Sequence, residues 1–387
     1  MEHGVYKTDK IVTCINCITG KTEELIFEGE RLTDINETES SENNIPFIGP
    51  GLIDLQINGI NGVDFNNPAV TGQDIVKATH YLLSKGITTF LPTVITNSDE
   101  NICKIAHTIY LACLSDPIVN DCIWGIHLEG PFISPVAGAK GAHDEKYVRP
   151  PDWELFERFQ NAAGGKIKLI TIAPEWEGSY SFIEKCRKHK ILISIGHSMA
   201  NSEQINLAVK AGASLSTHLG NAVPLLLPRH PNIIWDQLAA KELYACIITD
   251  GVHIPDSFIK VVMKNKSKAT LIVSDATCFA GMPPGEYQNH IGGTVILDKE
   301  KRVSLKSTPG LLAGAAKSLL ENVETLIDHD LSTACEAWHM ASANVAEMLA
   351  ENDDTFTNKN DKVIFQLKGK KIQVQTVIKN GRIVFES

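Results

Sequence analysis

The chain has 387 residues, of which 43% are hydrophobic and 21% are charged, and its formal net charge is −10. This length is ample for one large hydrophobic core. A net acidic surface disfavours nucleic acid or an anionic membrane as the main partner, although a local cluster of donors can bind an anionic small molecule. We expect neither a nucleic-acid-binding nor a membrane protein, since no stretch approaches the roughly 20 apolar residues that span a bilayer.

The cysteines and the N-terminal segment bear on the cellular compartment. The sequence has nine cysteines, an odd number, which is typical of reduced thiols rather than of a disulfide framework. Residues 1–10 are polar and charged and lack the apolar core of a secretory signal. We therefore expect a cytoplasmic protein with free thiols.

Both ends of the chain contain the short alternating runs that are typical of antiparallel strands. The first runs lie within residues 10–27 and the last within residues 362–386, where Lys379-Asn380-Gly381-Arg382 is a strong hairpin-turn signal. We predict that residues 1–47 and 358–387 together form one small β-sandwich domain. Two separate β decorations are the alternative, and the joint domain is favoured because a barrel between them would bring the termini together.

Residues 48–357 repeat one unit, in which an apolar β-rich run, a polar tip and a helix-like stretch follow one another. The eight apolar runs are Phe47–Asn58, Ile87–Thr96, Cys122–Glu129, Ile167–Ala173, Ile191–His197, Ala213–His218, Leu243–His253 and Ala269–Asp275. Apolar strands that alternate with helices indicate a parallel sheet covered by helices. Eight such units predict a (β/α)8 TIM barrel of the α/β class. An open doubly wound sheet is the alternative, but it would usually carry a glycine-rich phosphate loop after its first strand.

Polar residues stand at the C-terminal ends of these runs, and in a barrel all of these ends open onto one face. They include Gln56, Asn58, Asn97, Glu129, Glu175, His197, His218, His253 and Asp275. We therefore predict that residues far apart in the sequence converge on one active site at this face.

Three of these residues form a candidate metal site. Glu129, His197 and His218 end the third, fifth and sixth runs. One carboxylate and two imidazoles suit Zn²⁺ and also Fe²⁺, and three protein ligands leave a position for a water that ionises near neutral pH. A single histidine at a strand end is more often a hydrogen-bonded structural residue, so each ligand also has a purely structural interpretation.

Two further strands contribute polar groups near this site. Asp275 ends the eighth run, where its carboxylate can transfer a proton or merely cap a turn. Gln56 and Asn58 alternate on the first strand and therefore face the same side of it. Because amides are weak metal ligands, we predict one divalent metal per subunit rather than two, with Gln56 contacting it through water at most.

Seven segments carry motifs that are spread over nearly the whole chain. They are residues 50–59 (PGLIDLQING), 125–132 (GIHLEGPF), 140–143 (KGAH), 196–198 (GHS), 217–222 (THLGNA), 249–253 (TDGVH) and 274–277 (SDAT). These motifs resemble those of the N-acetylglucosamine-6-phosphate deacetylases in the amidohydrolase superfamily. The resemblance implies a metal-dependent enzyme that hydrolyses the acetamide of N-acetylglucosamine 6-phosphate to glucosamine 6-phosphate and acetate.

The resemblance also implies a role for each matching residue. Glu129, His197 and His218 would hold the metal, Asp275 would be the catalytic acid and base, and His143 would polarise the acetamide carbonyl. The implied substrate contacts are Ala142, Asn221, Ala222, Arg229 and His253. Asn221 and Ala222 would form a phosphate-binding turn, and Arg229 would reach the phosphate from the neighbouring subunit of a homodimer. The alternatives are an ordering role for His143 in its loop and a solvated surface charge for Arg229.

Some residues depart from the pattern of this family. Gly220 stands where the family usually has an aromatic residue, Val223 where it has methionine, Ala315 where it has serine, and Val345 where it has proline. The first two flank the phosphate-binding turn and leave the metal site intact. A deacetylase for a different or unphosphorylated N-acyl amino sugar is therefore an alternative function. A barrel that has lost catalysis and serves as a scaffold is a second alternative, which the intact metal residues argue against.

Overall fold

The computed structural model describes residues 10–39, 44–289, 293–308 and 312–387. Strands from both ends of the chain share one sheet: β1 (Lys10–Asn16), β2 (Thr22–Glu28), β3 (Arg31–Glu37), β4 (Phe47–Pro50), β19 (Lys362–Lys368), β20 (Lys371–Lys379) and β21 (Arg382–Glu386). The sheet closes on itself in the order β1-β2-β3-β21-β20-β19-β4, because β1 also pairs with β4. The predicted joining of both termini in one β domain is confirmed. The strand β4 extends this sheet to Pro50, whereas the predicted N-terminal segment of the β domain ends at residue 47.

The small domain follows from alternation and turn chemistry. Its inward side chains form a separate core of Cys14, Leu25, Phe27, Ile48, Ile364 and Ile378. Asn380 and Gly381 join β20 to β21 with φ values of 50° and 76°, as a two-residue hairpin turn requires. The predicted hairpin is therefore confirmed.

Eight parallel strands form the central sheet: β5 (Leu52–Ile57), β8 (Ile87–Ile95), β9 (Ile126–Glu129), β10 (Ile167–Ile172), β11 (Leu192–Ile195), β12 (Leu215–Ser216), β13 (Tyr244–Ile247) and β14 (Thr270–Ile272). They follow one another in this order. The last strand returns to the first through hydrogen bonds from Asn58 N to Ala276 O (2.8 Å) and from Asp275 N to Gln56 O (2.9 Å). The predicted (β/α)8 barrel is confirmed.

The helices that cover the barrel are α1 (Gly72–Ser84), α2 (Asp99–Ser115), α3 (Pro117–Cys122), α4 (Trp153–Ala162), α5 (Ser179–Lys188), α6 (Ser202–Ala211), α7 (Ile233–Ala239), α8 (Asp256–Lys266), α9 (Leu319–Asp328), α10 (Ala334–Met340) and α11 (Ala343–Asn352). Two short 3₁₀ turns lie at Glu145–Tyr147 and Ser267–Ala269. Asn201 and Gln204 form a capping box at the start of α6, since each side chain accepts the other's backbone N–H. Within the described ranges, every helix is too short or too polar to cross a membrane.

Two smaller antiparallel elements interrupt the repeat and were not predicted. A hairpin of β6 (Gly59–Ile60) and β7 (Val63–Asp64) follows the first barrel strand. Between β14 and α9 lies a four-stranded sheet of β15 (Gly285–Asn289), β16 (Gly293–Leu297), β17 (Arg302–Leu305) and β18 (Leu312–Ala315). This sheet packs over its own apolar cluster of Phe279, Val295, Leu297, Val303 and Ala316.

The barrel interior is apolar at its base and polar at its mouth. Ile53, Leu91, Leu169, Leu192 and Leu215 belong to one buried cluster inside the barrel. Farther along the same strands, the buried residues become Thr, Ser, His and Glu. The fold therefore supports a polar site on an apolar floor, at the C-terminal ends of the strands.

One cysteine pair contradicts the prediction that all thiols are free. Cys17, which follows β1, and Cys335 in α10 form a disulfide with a Cα–Cα distance of 5.2 Å across 318 residues of sequence. The other seven cysteines are free. Although Cys14 and Cys17 have the C-x-x-C spacing, Cys14 points into the small β core instead. An odd number of cysteines does not exclude one disulfide. The two cysteines are 318 residues apart, so no local motif indicates that they pair.

This disulfide ties the small domain to a barrel helix, so its loss is expected to lower stability. We expect Cys335→Ser to reduce the free energy of unfolding by about 2–4 kcal/mol, because the cross-link restricts the unfolded chain. Urea unfolding with and without dithiothreitol measures this effect. Reductant should destabilise the wild type and a Cys103→Ser control but not Cys335→Ser. A wild type that is indifferent to reductant would show that the bond contributes nothing.

Candidate metal centre and active site

The site is built on strand ends that turn sharply. His197, His218 and Asp275 have φ values of 50°, 30° and 49°, although none of them is glycine. This left-handed region costs roughly 1–3 kcal/mol for such a residue and is most often retained at functional sites. The turns aim the three side chains into the barrel mouth, where the neighbouring strands place their own polar ends.

The side chains of Glu129, His197 and His218 converge into a small triangle. Glu129 Oε1 lies 3.2 Å from Nε2 of His197 and 3.2 Å from Nε2 of His218, and the two Nε2 atoms are 3.1 Å apart. Tetrahedral zinc with nitrogen and oxygen ligands at about 2.0–2.2 Å separates its ligand atoms by roughly 3.3–3.5 Å. The spacing of the three atoms is therefore close to that of ligands around one ion.

The chemistry of the donors also fits a cation. The Nδ1 of His197 lies 2.9 Å from Ala139 O, so the ring donates there and presents a lone pair at Nε2. The Glu129 side chain is only 3% exposed, and a buried carboxylate requires positive charge beside it, which either a bound cation or the neighbouring imidazoles can supply. His218 Nδ1 is buried without a hydrogen-bond partner among the described residues. The contacts of Nε2 therefore decide which ring nitrogen of His218 carries the proton.

His143 lies beside this triangle and forms an overlapping group with it. Its Nε2 is 3.9 Å from Glu129 Oε2, and its ring centroid is 4.4 Å from that of His197. Ligand atoms of Glu129, His143 and His197 all lie within 4.8 Å of one another and could also hold an ion. The set with His218 is tighter, and His143 lies at its edge.

The side chains around Glu129 keep it ionised. Burial by itself would raise the pKa of Glu129, but hydrogen bonds and charge from His197 and His218 hold that pKa well below its usual range. Burial lowers the pKa of His143 to about 3, and His197 beside it acts in the same direction. His143 is therefore neutral at physiological pH.

Asp275 is held next to the triangle by two amides. Its Oδ1 accepts hydrogen bonds from Gln56 Nε2 (3.1 Å) and Asn58 Nδ2 (2.7 Å), and Gln56 Nε2 also donates to Glu129 Oε1 (2.7 Å). Both amides thus direct N–H groups at carboxylates, which suits a supporting role rather than metal ligation. Burial, followed by the negative charge of Glu129, raises the pKa of Asp275 to about 6.

Two supporting residues were missed by the sequence analysis. Thr96 Oγ1 lies 2.7 Å from His143 Nδ1, and Asp250 Oδ2 lies 2.7 Å from His253 Nδ1. Asp250 also accepts the backbone N–H groups of Val252 and His253. The Asp-x-x-His spacing was the available signal for Asp250, whereas nothing in the sequence pairs Thr96 with a histidine 47 residues later.

The structure explains why residue 220, in the predicted phosphate-binding turn, is a glycine. This residue has φ +97°, and a Cβ there would lie 2.8 Å from the ring of Phe258 and 3.3 Å from Ile254. The ring of Phe258 in α8 therefore occupies the space that an aromatic side chain at position 220 would need. Next in the turn, Asn221 donates both its backbone N–H and its Nδ2 to His218 O, at 2.9 and 3.2 Å.

Two of the remaining predicted substrate residues, Ala142 and Arg229, have exposed side chains. Ala222 has φ 48°, and Ala142 is exposed next to the buried His143. Arg229 is exposed on the loop of residues 224–231, eleven residues after His218.

A parallel eight-stranded barrel with a glutamate–histidine cluster at its C-terminal mouth is the architecture of a metal-dependent hydrolase. Residues 47–384 match the Amidohydrolase family, and the chain belongs to this family.

Curated relatives include the N-acetylglucosamine-6-phosphate deacetylases of Bacillus subtilis (32% identical over 303 residues, covering 78% of this chain and 74% of the relative) and of Haemophilus influenzae (32% over 334 residues, covering 86% and 84%). Among solved structures, that of the enzyme of this name from Thermotoga maritima superposes with a TM-score of 0.81 at 27% identity, covering 97% of this chain and 99% of that one. The resemblance that the motifs predicted is confirmed.

Proposed function

We propose that the protein is a metal-dependent deacetylase that converts N-acetylglucosamine 6-phosphate to glucosamine 6-phosphate and acetate. The observation that carries this proposal is the 3.1–3.2 Å triangle of Glu129, His197 and His218 with Asp275 beside it. The family membership and the activity named for its curated relatives support the choice of substrate.

We propose one divalent metal per subunit, Zn²⁺ in preference to Fe²⁺, held by Glu129, His197 and His218. When bound, such an ion polarises the substrate carbonyl and makes a coordinated water acidic. Gln56 and Asn58 do not add a second ion, because their N–H groups face Glu129 and Asp275.

Asp275 is the proposed proton carrier. A carboxylate with a pKa of about 6 is ionised at neutral pH and is still basic enough to accept a proton from the attacking water. Its Oδ1 is occupied by the amides of Gln56 and Asn58, so Oδ2 is the oxygen that takes the proton. The same oxygen then delivers the proton to the departing amine of the sugar.

His143 is the proposed donor to the acetamide oxygen. If Thr96 donates its hydroxyl proton to Nδ1, the neutral ring carries its own proton on Nε2, the nitrogen that faces Glu129. An N–H in this position stabilises negative charge as it develops on the carbonyl oxygen. At His253 the direction is opposite: Asp250 Oδ2 accepts the N–H of Nδ1, so that Nε2 is directed away from Asp250 as a substrate contact.

We also propose a homodimer in which Arg229 reaches the phosphate in the neighbouring active site. The loop that carries Arg229 exposes Leu225 at 85% and Leu226 at 91%. Large apolar side chains so exposed on one loop are typical of an interface. The proposal gives the exposed Arg229 on this loop a function.

Removing this arginine is expected to weaken binding of the phosphorylated substrate only. Arg229→Ala should raise KM for N-acetylglucosamine 6-phosphate by roughly 10–100-fold, since hydrogen bonds to a charged group contribute about 1.5–3 kcal/mol. KM for unphosphorylated N-acetylglucosamine should stay within about twofold. Lys241→Ala, which removes an exposed cation beyond α7, is the matched control. Equal effects of Arg229→Ala on both substrates would contradict the proposed phosphate contact.

A deacetylase for a different or unphosphorylated N-acyl amino sugar is the second candidate, because Phe258 rather than an aromatic at position 220 lines the turn. Acetate release from N-acetyl sugars with and without 6-phosphate, on protein of defined metal content, separates the two. The proposed function requires the phosphorylated sugar to have the highest kcat/KM. A metal-loaded protein that cleaves no amide would instead indicate a scaffold.

A further inference from the structure

Beneath the metal triangle, a chain of hydrogen bonds crosses the barrel from β9 to the end of β12. His127 Nε2 lies 2.7 Å from Thr171 Oγ1, Thr171 Oγ1 lies 2.7 Å from Thr217 Oγ1, and Thr217 donates to Ser194 Oγ at 2.5 Å. All four side chains are buried, with exposures of 0–4%. We call His127, Thr171, Thr217 and Ser194 the hydroxyl relay.

One consistent set of proton directions follows from the contact at the Ser194 end of the relay. Since Thr217 gives its proton to Ser194, Thr171 must donate to Thr217. His127 Nε2 must then donate to Thr171. Each donor therefore has one acceptor, and the relay holds four side chains in a single arrangement.

The relay connects the strands that carry the three proposed metal ligands. His127 is two residues before Glu129 on β9, Thr217 directly precedes His218, and Ser194 lies three residues before His197. Thr171 pairs with Glu129 on one side and with Ser194 on the other in the strand register. These contacts connect the three backbone segments that carry Glu129, His197 and His218.

Gly196 makes this connection sterically possible. A Cβ at Gly196 would lie 2.5 Å from Thr217 Cβ and 2.9 Å from Thr171 Cγ2. The missing side chain thus lets the two threonines meet directly beneath His197. Because His197 and His218 follow in strained left-handed conformations, their orientation depends on what holds the residues just before them.

Buried hydroxyls are not required to fill this layer of the barrel. The layer directly below is apolar and contains Leu169, Leu192 and Leu215 on the same strands. Burying hydroxyls costs free energy unless each has a hydrogen-bond partner, so this polar layer depends on its mutual contacts. We propose that the hydroxyl relay consists of positioning residues, which hold the three ligand strands in the geometry that binds the metal. This inference rests on the proposed metal site.

The test is the affinity for Zn²⁺ of metal-free protein, measured by competition with a chromophoric chelator. Thr171→Val removes one hydroxyl without changing the side-chain shape, and it should raise the Zn²⁺ dissociation constant about 10–100-fold, as loss of outer partners does at other sites. Thr171→Ser keeps the hydroxyl and should restore the affinity to within about threefold. In the deacetylase assay, kcat at saturating Zn²⁺ should fall more than KM rises.

A buried threonine outside the barrel provides the matched control. Thr79 in α1 is fully buried and donates to Ile75 O at 2.9 Å, so Thr79→Val removes a comparable hydrogen bond. This variant should leave the Zn²⁺ dissociation constant unchanged. If Thr171→Val does not accumulate as folded protein, Ser194→Ala, which removes the last acceptor of the relay, gives the same measurement.

The outcomes separate the relay from the metal site. Wild-type affinity for Zn²⁺ in Thr171→Val, or equal weakening in Thr79→Val, overturns the relay and leaves the proposed function standing. A wild-type protein that does not bind Zn²⁺ at all overturns the proposed function, and the relay with it.

Discussion

Asp275→Asn is expected to lower kcat by about 10²–10⁴-fold while the protein stays folded and metal-loaded. An asparagine Oδ1 can accept the same hydrogen bonds from Gln56 and Asn58 that the carboxylate accepts. The side chain therefore keeps its place but can no longer take a proton. Steady-state acetate release gives kcat, and elemental analysis of the same sample gives the metal content.

Asp54→Asn is the matched control for this substitution. Asp54 is a buried carboxylate two residues before Gln56, and it accepts the backbone N–H of Ser274, the neighbour of Asp275. Burial raises the pKa of Asp54 to about 7, so a neutral asparagine suits its surroundings. We expect Asp54→Asn to retain kcat within about tenfold. Turnover of Asp275→Asn at the level of this control would refute proton transfer by Asp275.

The pH dependence gives the same residue a second signature. Asp275 must be ionised to accept a proton, so activity is lost as pH falls through its pKa, which is about 6 in the metal-free site. A bound cation nearby favours the ionised form and lowers this value. The acid limb of kcat/KM should therefore have its midpoint at or below about pH 6. This limb should be absent from the residual activity of Asp275→Asn.

The sequence was most informative where function and strand periodicity coincide. Glu129, His197, His218 and Asp275 each end an apolar run, and parallel strands of a barrel carry such ends to one face. The convergence of these residues could therefore be predicted without knowing any loop. The hairpin at Asn380 and Gly381 was equally accessible, because its turn chemistry is local.

The features that escaped prediction depend on contacts between side chains that are distant in sequence. The disulfide joins Cys17 to Cys335, and Thr96 meets His143, only because the barrel closes. The relay was also invisible, since Thr171 and Thr217 are ordinary strand residues in β propensity. Its one local sign was Gly196, whose absent side chain matters only once both threonines are in place.

A second large effect is expected where a buried ion pair of the small domain lies against the barrel. Lys379 Nζ lies 2.7 Å from Asp361 Oδ2, and the two side chains are exposed by only 5% and 1%. Lys379 ends β20, while its Nζ also lies 3.4 Å from Thr89 Oγ1 on β8 of the barrel. Asp361 Oδ1 accepts the backbone N–H of Asn380 in the hairpin.

Lys379→Met is expected to lower the free energy of unfolding by about 3–5 kcal/mol, because it leaves a buried carboxylate without its counter-charge. Urea unfolding followed by far-ultraviolet circular dichroism measures the change. Lys10 and Glu386 form a matched pair within the same small sheet, but their side chains are 48% and 51% exposed. Lys10→Met should therefore cost less than about 1 kcal/mol.

The double variant Lys379→Met/Asp361→Asn distinguishes an unpaired charge from lost packing. Asparagine removes the charge and keeps an oxygen for the N–H of Asn380, so the double variant should recover at least half of the loss. Recovery follows because much of the cost of breaking such a pair is the desolvation of the charge left behind. If the double variant is as unstable as Lys379→Met, the lysine stem stabilises the domain contact by packing and the ion pair does not.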